Sequence, residues 1–263
     1  MSLVFGAITP HPAMMLPTIG RDQSIQLEKT RKAFEKLEQD LYLQKPEILI
    51  VISPHEGLFE EAFVVNAHTE FHSDFSDFGD LVTKQTWKGA TDFAAKIAHE
   101  SSMSDIPVRL VSEQALSHGS SIPLLKLTEH LPDIKILPIG FSAQSPKDHV
   151  RFGEMLKENI MQHSKRIAVV ASGNLSHCLT KNSPTEYNEL GASFDEKLLE
   201  LLQTRNTSGI MNLDPAMIEA AEECGYRSIL ILLGMLREMD YSFESLSYEY
   251  PFGVGYLVGQ FHL

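Results

Sequence analysis

Cysteine is nearly absent. Cys178 and Cys224 are the two cysteines in 263 residues, too few for a disulfide framework, and both read as reduced thiols. Basic residues are also scarce, with 22 Lys and Arg against 35 Asp and Glu and a formal net charge of -13. A nucleic-acid or anionic-membrane surface would need clustered cations, so small molecules or proteins are the expected partners. No apolar run approaches the ~20 residues of a membrane span, and Met1 to Ile8 lacks the basic start and length of a signal peptide, so the expected location is cytoplasmic. Repeats, low-complexity tracts and linkers are missing too, which makes 1–263 one domain in this reading.

Against these absences stands a 43% hydrophobic content, enough to fill a large core, and a set of 11 histidines. The apolar run Ile48 to Ile52 ends in Ser53-Pro54-His55. Proline cannot donate a ladder hydrogen bond, so the strand stops there and presents His55 just beyond its end. The pattern recurs where Leu3 to Ile8 runs into Thr9-Pro10-His11-Pro12, and where Ile167 to Ala171 runs into Ser172-Gly173-Asn174-Leu175-Ser176-His177. A looser copy is Val108 to Val111, followed by His118. Ligands of α/β sheets sit outside the carboxyl ends of the strands, so four histidines placed there can converge.

Between these strands, Ile25 to Gln44 carries apolar residues at helical spacing, and a strand, helix and strand in that order suggests a parallel crossover that sets the His11 and His55 strands side by side. Ala62 to Ala67 reads as a strand. Glu70 to Asp80 mixes Phe71, Phe75 and Phe78 with Asp74, Asp77 and Asp80 without a period, so it reads as a loop, either over a site mouth or pinned by its aromatics. Further helices are expected over Gly89 to Ser101, from Ile122 with Pro123 in its first turn, from Ser145-Pro146 to about His163, over Glu186 to Gln203, from Asp214-Pro215 to Gly225 and over Arg227 to Met239. Strands are expected over Lys135 to Ile139 and, as an antiparallel edge, near Phe243 to Tyr250 and Gly255 to Phe261. The fold class is α/β, with a central mixed, largely parallel sheet flanked by helices and a site at the strand C-terminal ends.

One strand-end histidine alone is more often a structural residue; four together point to chemistry. Two histidines and a carboxylate on one face suit a non-heme ferrous oxygenase, and similar ligands suit hydrolytic zinc. His11 and His55 are the nitrogen candidates. The corner Glu222-Glu223-Cys224-Gly225 is the source for a third ligand, with Glu223 chosen, Glu222 as an alternate and Cys224 as a thiolate that would soften the site. His177 suits proton transfer with an acidic substrate, and His118 could hydrogen-bond substrate or dioxygen. His68, His72, His99, His130, His149, His163 and His262 have contexts of surface or packing.

Thr-Pro-His-Pro, Ser-Pro-His, Ser-His-Gly and Gly-Asn-Leu-Ser-His, in this order along nearly the whole chain, resemble the class III extradiol dioxygenases of the LigB type. The likeness extends to the Memo-like proteins, whose Cys-Gly-Arg segment looks like Cys224-Gly225-Tyr226-Arg227. The resemblance implies ferrous iron on two histidines and a glutamate, carried here to His11, His55 and Glu223, with zinc as the alternative metal. It implies acid/base action by His177, supported by His118, on a small catechol-like aromatic substrate and dioxygen. A Memo-like accessory protein without catechol turnover and a zinc hydrolase are the rival readings, and a homo-oligomer is compatible with either.

Overall fold

The computed structural model describes residues 2–263. In chain order its strands are β1 (Leu3–Thr9), β2 (Ile48–Ile52), β3 (Phe63–Asn66), β4 (Glu70–Ser73), β5 (Thr86–Gly89), β6 (Val108–Val111), β7 (Ala115–Leu116), β8 (Lys135–Gly140), β9 (Ile167–Ser172), β10 (Ser242–Glu249) and β11 (Tyr256–His262). The helices are α1 (Pro17–Gly20), α2 (Glu28–Gln44), α3 (Thr91–Ser102), α4 (His118–Leu127), α5 (Pro146–Met161), α6 (Glu189–Gln203), α7 (Thr207–Met211), α8 (Pro215–Ala221) and α9 (Tyr226–Met235). No helix among the described residues is long and apolar enough to cross a membrane.

All the strands join one mixed sheet in the order β10-β11-β1-β9-β2-β8-β5-β4-β7, with β3 bridging β8 to β6. Its centre, β1-β9-β2-β8, is parallel. Why β2 is apolar at every position follows from the two faces it serves. Ile48, Ile50 and Ile52 enter the core shared with α3, α5, α6 and α9, whereas Leu49 and Val51 enter the core shared with α2 and α4. A strand buried on both sides has no polar face to alternate.

Several sequence expectations change. β1 and β2 are not neighbours, because β9 lies between them. The stretch from Glu70 is partly a strand, β4, paired with β5 and β7, and its Phe71 and Phe75 are buried anchors. The first long helix starts at Glu28, preceded by 3-10 turns over Arg21–Leu27. The helix expected from Ile122 begins earlier, at His118, so Pro123 falls inside it. The helix expected to reach Gly225 stops at Ala221, where Glu222 takes the left-handed turn with φ of 49° that Gly225 had been assigned.

Helices α5 and α9 cross in close contact where Gly153 and Gly234 meet. A Cβ on Gly153 would stand 2.1 Å from the Ile231 carbonyl oxygen, and one on Gly234 would stand 2.2 Å from that of Val150. Backbone cannot yield as a flexible side chain does. Gly153→Ala gains about 1 kcal/mol of helix propensity but must separate the helices, at a cost of roughly 1–3 kcal/mol or more. The expected net result is a melting temperature lowered by several degrees, at ~2–4 °C per kcal/mol for a chain of this size. An unchanged melting temperature would mean the crossing is looser than described.

Candidate functional site

Strand register sets the level of the site. Thr9 pairs with Ser172, and Ile52 with Ala171, so β1, β9 and β2 end together at one edge of the sheet. The segments leaving that edge carry His11, His55 and the Gly173 to His177 loop. His118 arrives from the other direction, at the first position of α4. The ligand atoms of His11, His55 and His118 all lie within 4.8 Å of one another. Ring centroids are 5.1 Å apart for His11 and His55, 5.2 Å for His11 and His118, and 4.4 Å for His55 and His118.

Three contacts explain how separate segments are held this close. Gly119, the residue after His118, leaves room for β2's end: a Cβ there would meet the Ser53 Oγ at 2.4 Å and the His55 Cδ2 at 2.8 Å. Glu56, the residue after His55, reaches across to accept hydrogen bonds from the Ser117 N–H (3.3 Å) and hydroxyl (2.6 Å). It thereby caps α4 from another part of the chain, where Ser117 provides no side-chain cap of its own. The third contact is Gly173 on Gly225. A Cβ on Gly173 would lie 2.1 Å from the Gly225 Cα, so these glycines serve backbone-on-backbone approach, and Gly225 keeps an ordinary φ of -98°.

That approach lets Asn174 act as a clamp. Its Oδ1 accepts the His11 N–H (3.1 Å), its N–H donates to the Cys224 Sγ (3.2 Å), and its carbonyl accepts the Cys224 N–H (3.2 Å). Cys224 Sγ consequently lies 3.7 Å from His11 Nε2. Burial pushes the thiol up to about 12, so without a metal it is uncharged.

The histidines are neutral for related reasons. Burial, followed by the nearby His55, His118 and His177 rings, holds His11 well below the usual imidazole range. His55 is lowered to about 4 by burial and then by His118 and His177, although its edge is exposed at the rim. His118 is lowered by burial, with Asp77 opposing. Neutral imidazoles keep the lone pairs that a metal ion needs, and a cluster of three nitrogen donors therefore fits one. The His177 ring stands near enough to depress both His11 and His55, and burial lowers its own pKa as well. Its Nδ1 is buried without a hydrogen-bond partner.

The sequence-predicted residues thus divide. His11, His55, His118 and His177 share one site, with His118 among the ligand atoms where sequence reading had it beside substrate. Glu223 is not brought there. Its Oε2 accepts the Tyr226 N–H at 2.5 Å, capping α9, and burial pushes the carboxyl up to about 7. Together with Glu222 and Arg227 it lines a cavity of about 720 Å³ that none of the four histidines borders. The cause is local, since ending α8 at Ala221 lets the Glu223 side chain cap α9 and leaves Cys224 facing His11. Phe78, from the stretch read as a loop over the mouth, lies 5.1 Å from the His118 ring. Sequence reasoning missed Glu56 and Ser172; the signal was their place beside the motif residues His55 and Gly173.

Behind His177 lies a buried proton-holding pair. Asp195 accepts the Ser176 N–H (2.9 Å) and the Tyr248 hydroxyl (2.6 Å), and burial pushes its carboxyl up to about 7. The folded state therefore binds a proton that the unfolded chain releases from about pH 4 upward. Stability from this group is full below the unfolded value and is lost as pH rises through the folded one. Asp195→Asn keeps the acceptor for Ser176 and removes the charge. At pH 8 the variant should melt above the parent by about 2–4 °C, the shift for roughly 1 kcal/mol, and the difference should vanish near pH 4. Some pH dependence will persist through Glu223. A variant that melts below the parent by the same amount at both pH values would show that Asp195 is neutral to this linkage.

The whole arrangement has relatives. The family model for the catalytic LigB subunit of aromatic ring-opening dioxygenase matches residues 6–259. Protein CA_C1420 of Clostridium acetobutylicum is 31% identical over 265 residues, which are 97% of this chain and 57% of that protein, so this chain spans little more than half its length. A MEMO1 family protein of Methanosarcina mazei is 22% identical over 230 residues, covering 81% of this chain and 82% of that one. The crystal structure of the uncharacterized protein JW3007 from Escherichia coli K12 superposes with a TM-score of 0.70 at 18% identity over 98% of this chain and 99% of that one, a likeness of fold. With its strand-end histidines on a sheet of that shape, and a family match from Gly6 to Gly259, this chain belongs to the LigB family.

Proposed function

We propose that this chain is a metal-dependent dioxygenase that opens a catechol-type ring beside its diol, with ferrous iron held by His11, His55 and His118 and with His177 moving the substrate proton. The observation that carries this reading is the convergence of three neutral imidazoles at one point with a fourth imidazole, that of His177, beside them. Iron bound there would supply the one-electron chemistry that lets dioxygen react with an aromatic ring. The donors are all uncharged, so an anionic catecholate is the substrate form that best balances the ion. His177, neutral at pH 7, accepts the second hydroxyl proton and can return it later. Phe78 and the rim at His55 mark the side from which a ring would enter, and Phe78 offers it an apolar wall.

A second reading rests on Cys224, 3.7 Å from His11 Nε2. A softer metal would draw its thiolate into the site, and the MEMO1 family likeness favours an accessory protein that binds metal or a partner without opening rings. The test is metal analysis of anaerobically purified protein together with oxygen uptake on a panel of catechols. Stoichiometric iron and catechol-dependent uptake are expected. Zinc with no uptake would overturn the dioxygenase in favour of hydrolytic chemistry, and a greater metal loss in Cys224→Ser than in His118→Ala would favour the thiolate site.

A further inference from the structure

The geometry points to Pro123, acting through Gly119 and Ser172, as the positioning residue that decides which nitrogen of His11 carries its proton. An interior proline in a helix ordinarily costs ~3 kcal/mol, because it lacks the N–H that the carbonyl four residues earlier should receive. In α4 that carbonyl belongs to Gly119. It finds a donor outside the helix, since the Ser172 hydroxyl at the end of β9 donates to it at 2.5 Å, in a buried setting.

The consequence passes along a chain of single protons. A serine hydroxyl has one hydrogen to give. Spent on Gly119, it leaves Ser172 Oγ only as an acceptor toward His11 Nδ1, 2.9 Å away. Nδ1 must therefore carry the hydrogen of a neutral His11, and Nε2 keeps the bare lone pair. Nε2 is the nitrogen directed to Cys224, at 3.7 Å. A missing N–H in one helix thus fixes the tautomer of a histidine on another strand's end. His177 gives the contrast: its Nδ1 is buried with no partner, so no side chain plays the part of Ser172 there. An imidazole held at Nδ1 by such a partner suits a permanent ligand.

The tautomer follows from the hydrogen bonds alone, while its effect on metal rests on the function proposed above. The experiment separates the two. Long-range proton–nitrogen NMR of the metal-free, ¹⁵N-histidine-labelled protein should show His11 protonated at Nδ1 and bare at Nε2. Ser172→Ala removes the acceptor, and Pro123→Ala restores a helix N–H to Gly119, so that this carbonyl no longer depends on the serine hydroxyl and the hydroxyl is freer to turn toward His11. Both should shift His11 toward the Nε2-protonated form. Pro123→Ala should do so without lowering the melting temperature, since it removes an interior proline, whereas a proline with no link to Ser172 would leave the tautomer unmoved. Ferrous affinity, measured by anaerobic titration, should fall about 10- to 100-fold in Ser172→Ala, the range for a lost partner of a ligating histidine. Finding Nε2 protonated in the parent would overturn the proposal outright, even if Ser172→Ala failed to fold. An unmoved tautomer in Pro123→Ala would overturn the part played by proline. The expected tautomer in a parent that binds no iron would leave this inference standing and remove the iron site.

Discussion

His118→Ala is expected to abolish stoichiometric iron binding, whereas Glu223→Gln should bind iron like the parent. His118 is one of three nitrogen donors within 4.8 Å, and removing it would leave two neutral ligands for an ion that the three together could hold. The loss should exceed the 10- to 100-fold typical of an outer partner. Glu223 faces α9 instead. A glutamine there still accepts the Tyr226 N–H, and because burial raises the Glu223 carboxyl to about 7 the substitution imitates a protonated form already accessible near neutrality. The measurement is anaerobic ferrous titration with metal analysis after desalting, and circular dichroism verifies the fold of each variant. The reverse result, binding lost in Glu223→Gln and kept in His118→Ala, would restore the carboxylate ligand inferred from sequence.

That exchange of His118 for Glu223 shows where sequence is legible. His11, His55 and His177 could be found because each follows a strong apolar run that stops at proline or at the Ser-Gly-Asn turn, and strand ends in an α/β sheet share a level. His118 was visible as a candidate but not as part of the triad. Its position depends on α4 starting at His118, and that start is fixed by Glu56, which holds Ser117 from a segment far away in sequence. Pro123 misled for a related reason: proline usually marks a first turn, and only Ser172 explains how an interior one is accommodated. The insertion of β9 between β1 and β2 is a pairing choice that no local pattern encodes, and the same holds for β4 and β5, whose four residues each are too short a run to establish a period. For Glu223 the decisive fact is one backbone conformation, the left-handed turn at Glu222, which the sequence pattern places at Gly225.

The remaining large effect belongs to His177, for which His177→Gln should keep iron and lose turnover. It stands outside the three ligand atoms, yet close enough to His11 and His55 to depress their protonation. Glutamine preserves hydrogen-bonding capacity and approximate size but cannot take up a proton. Positioned proton transfer contributes roughly 10²- to 10⁴-fold, so kcat for catechol-dependent oxygen uptake should fall by about that factor. The pH profile adds a signature that lost binding would not give. Burial, the largest influence, lowers the His177 pKa below its ordinary 6.5, so the base stays neutral at pH 7 and the parent should lose rate only as pH falls below that range. In the variant this acid-side limb should disappear, leaving a low rate that is flat across the same interval. Iron lost together with activity would make His177 a ligand, and undiminished uptake would assign the proton transfer to another group.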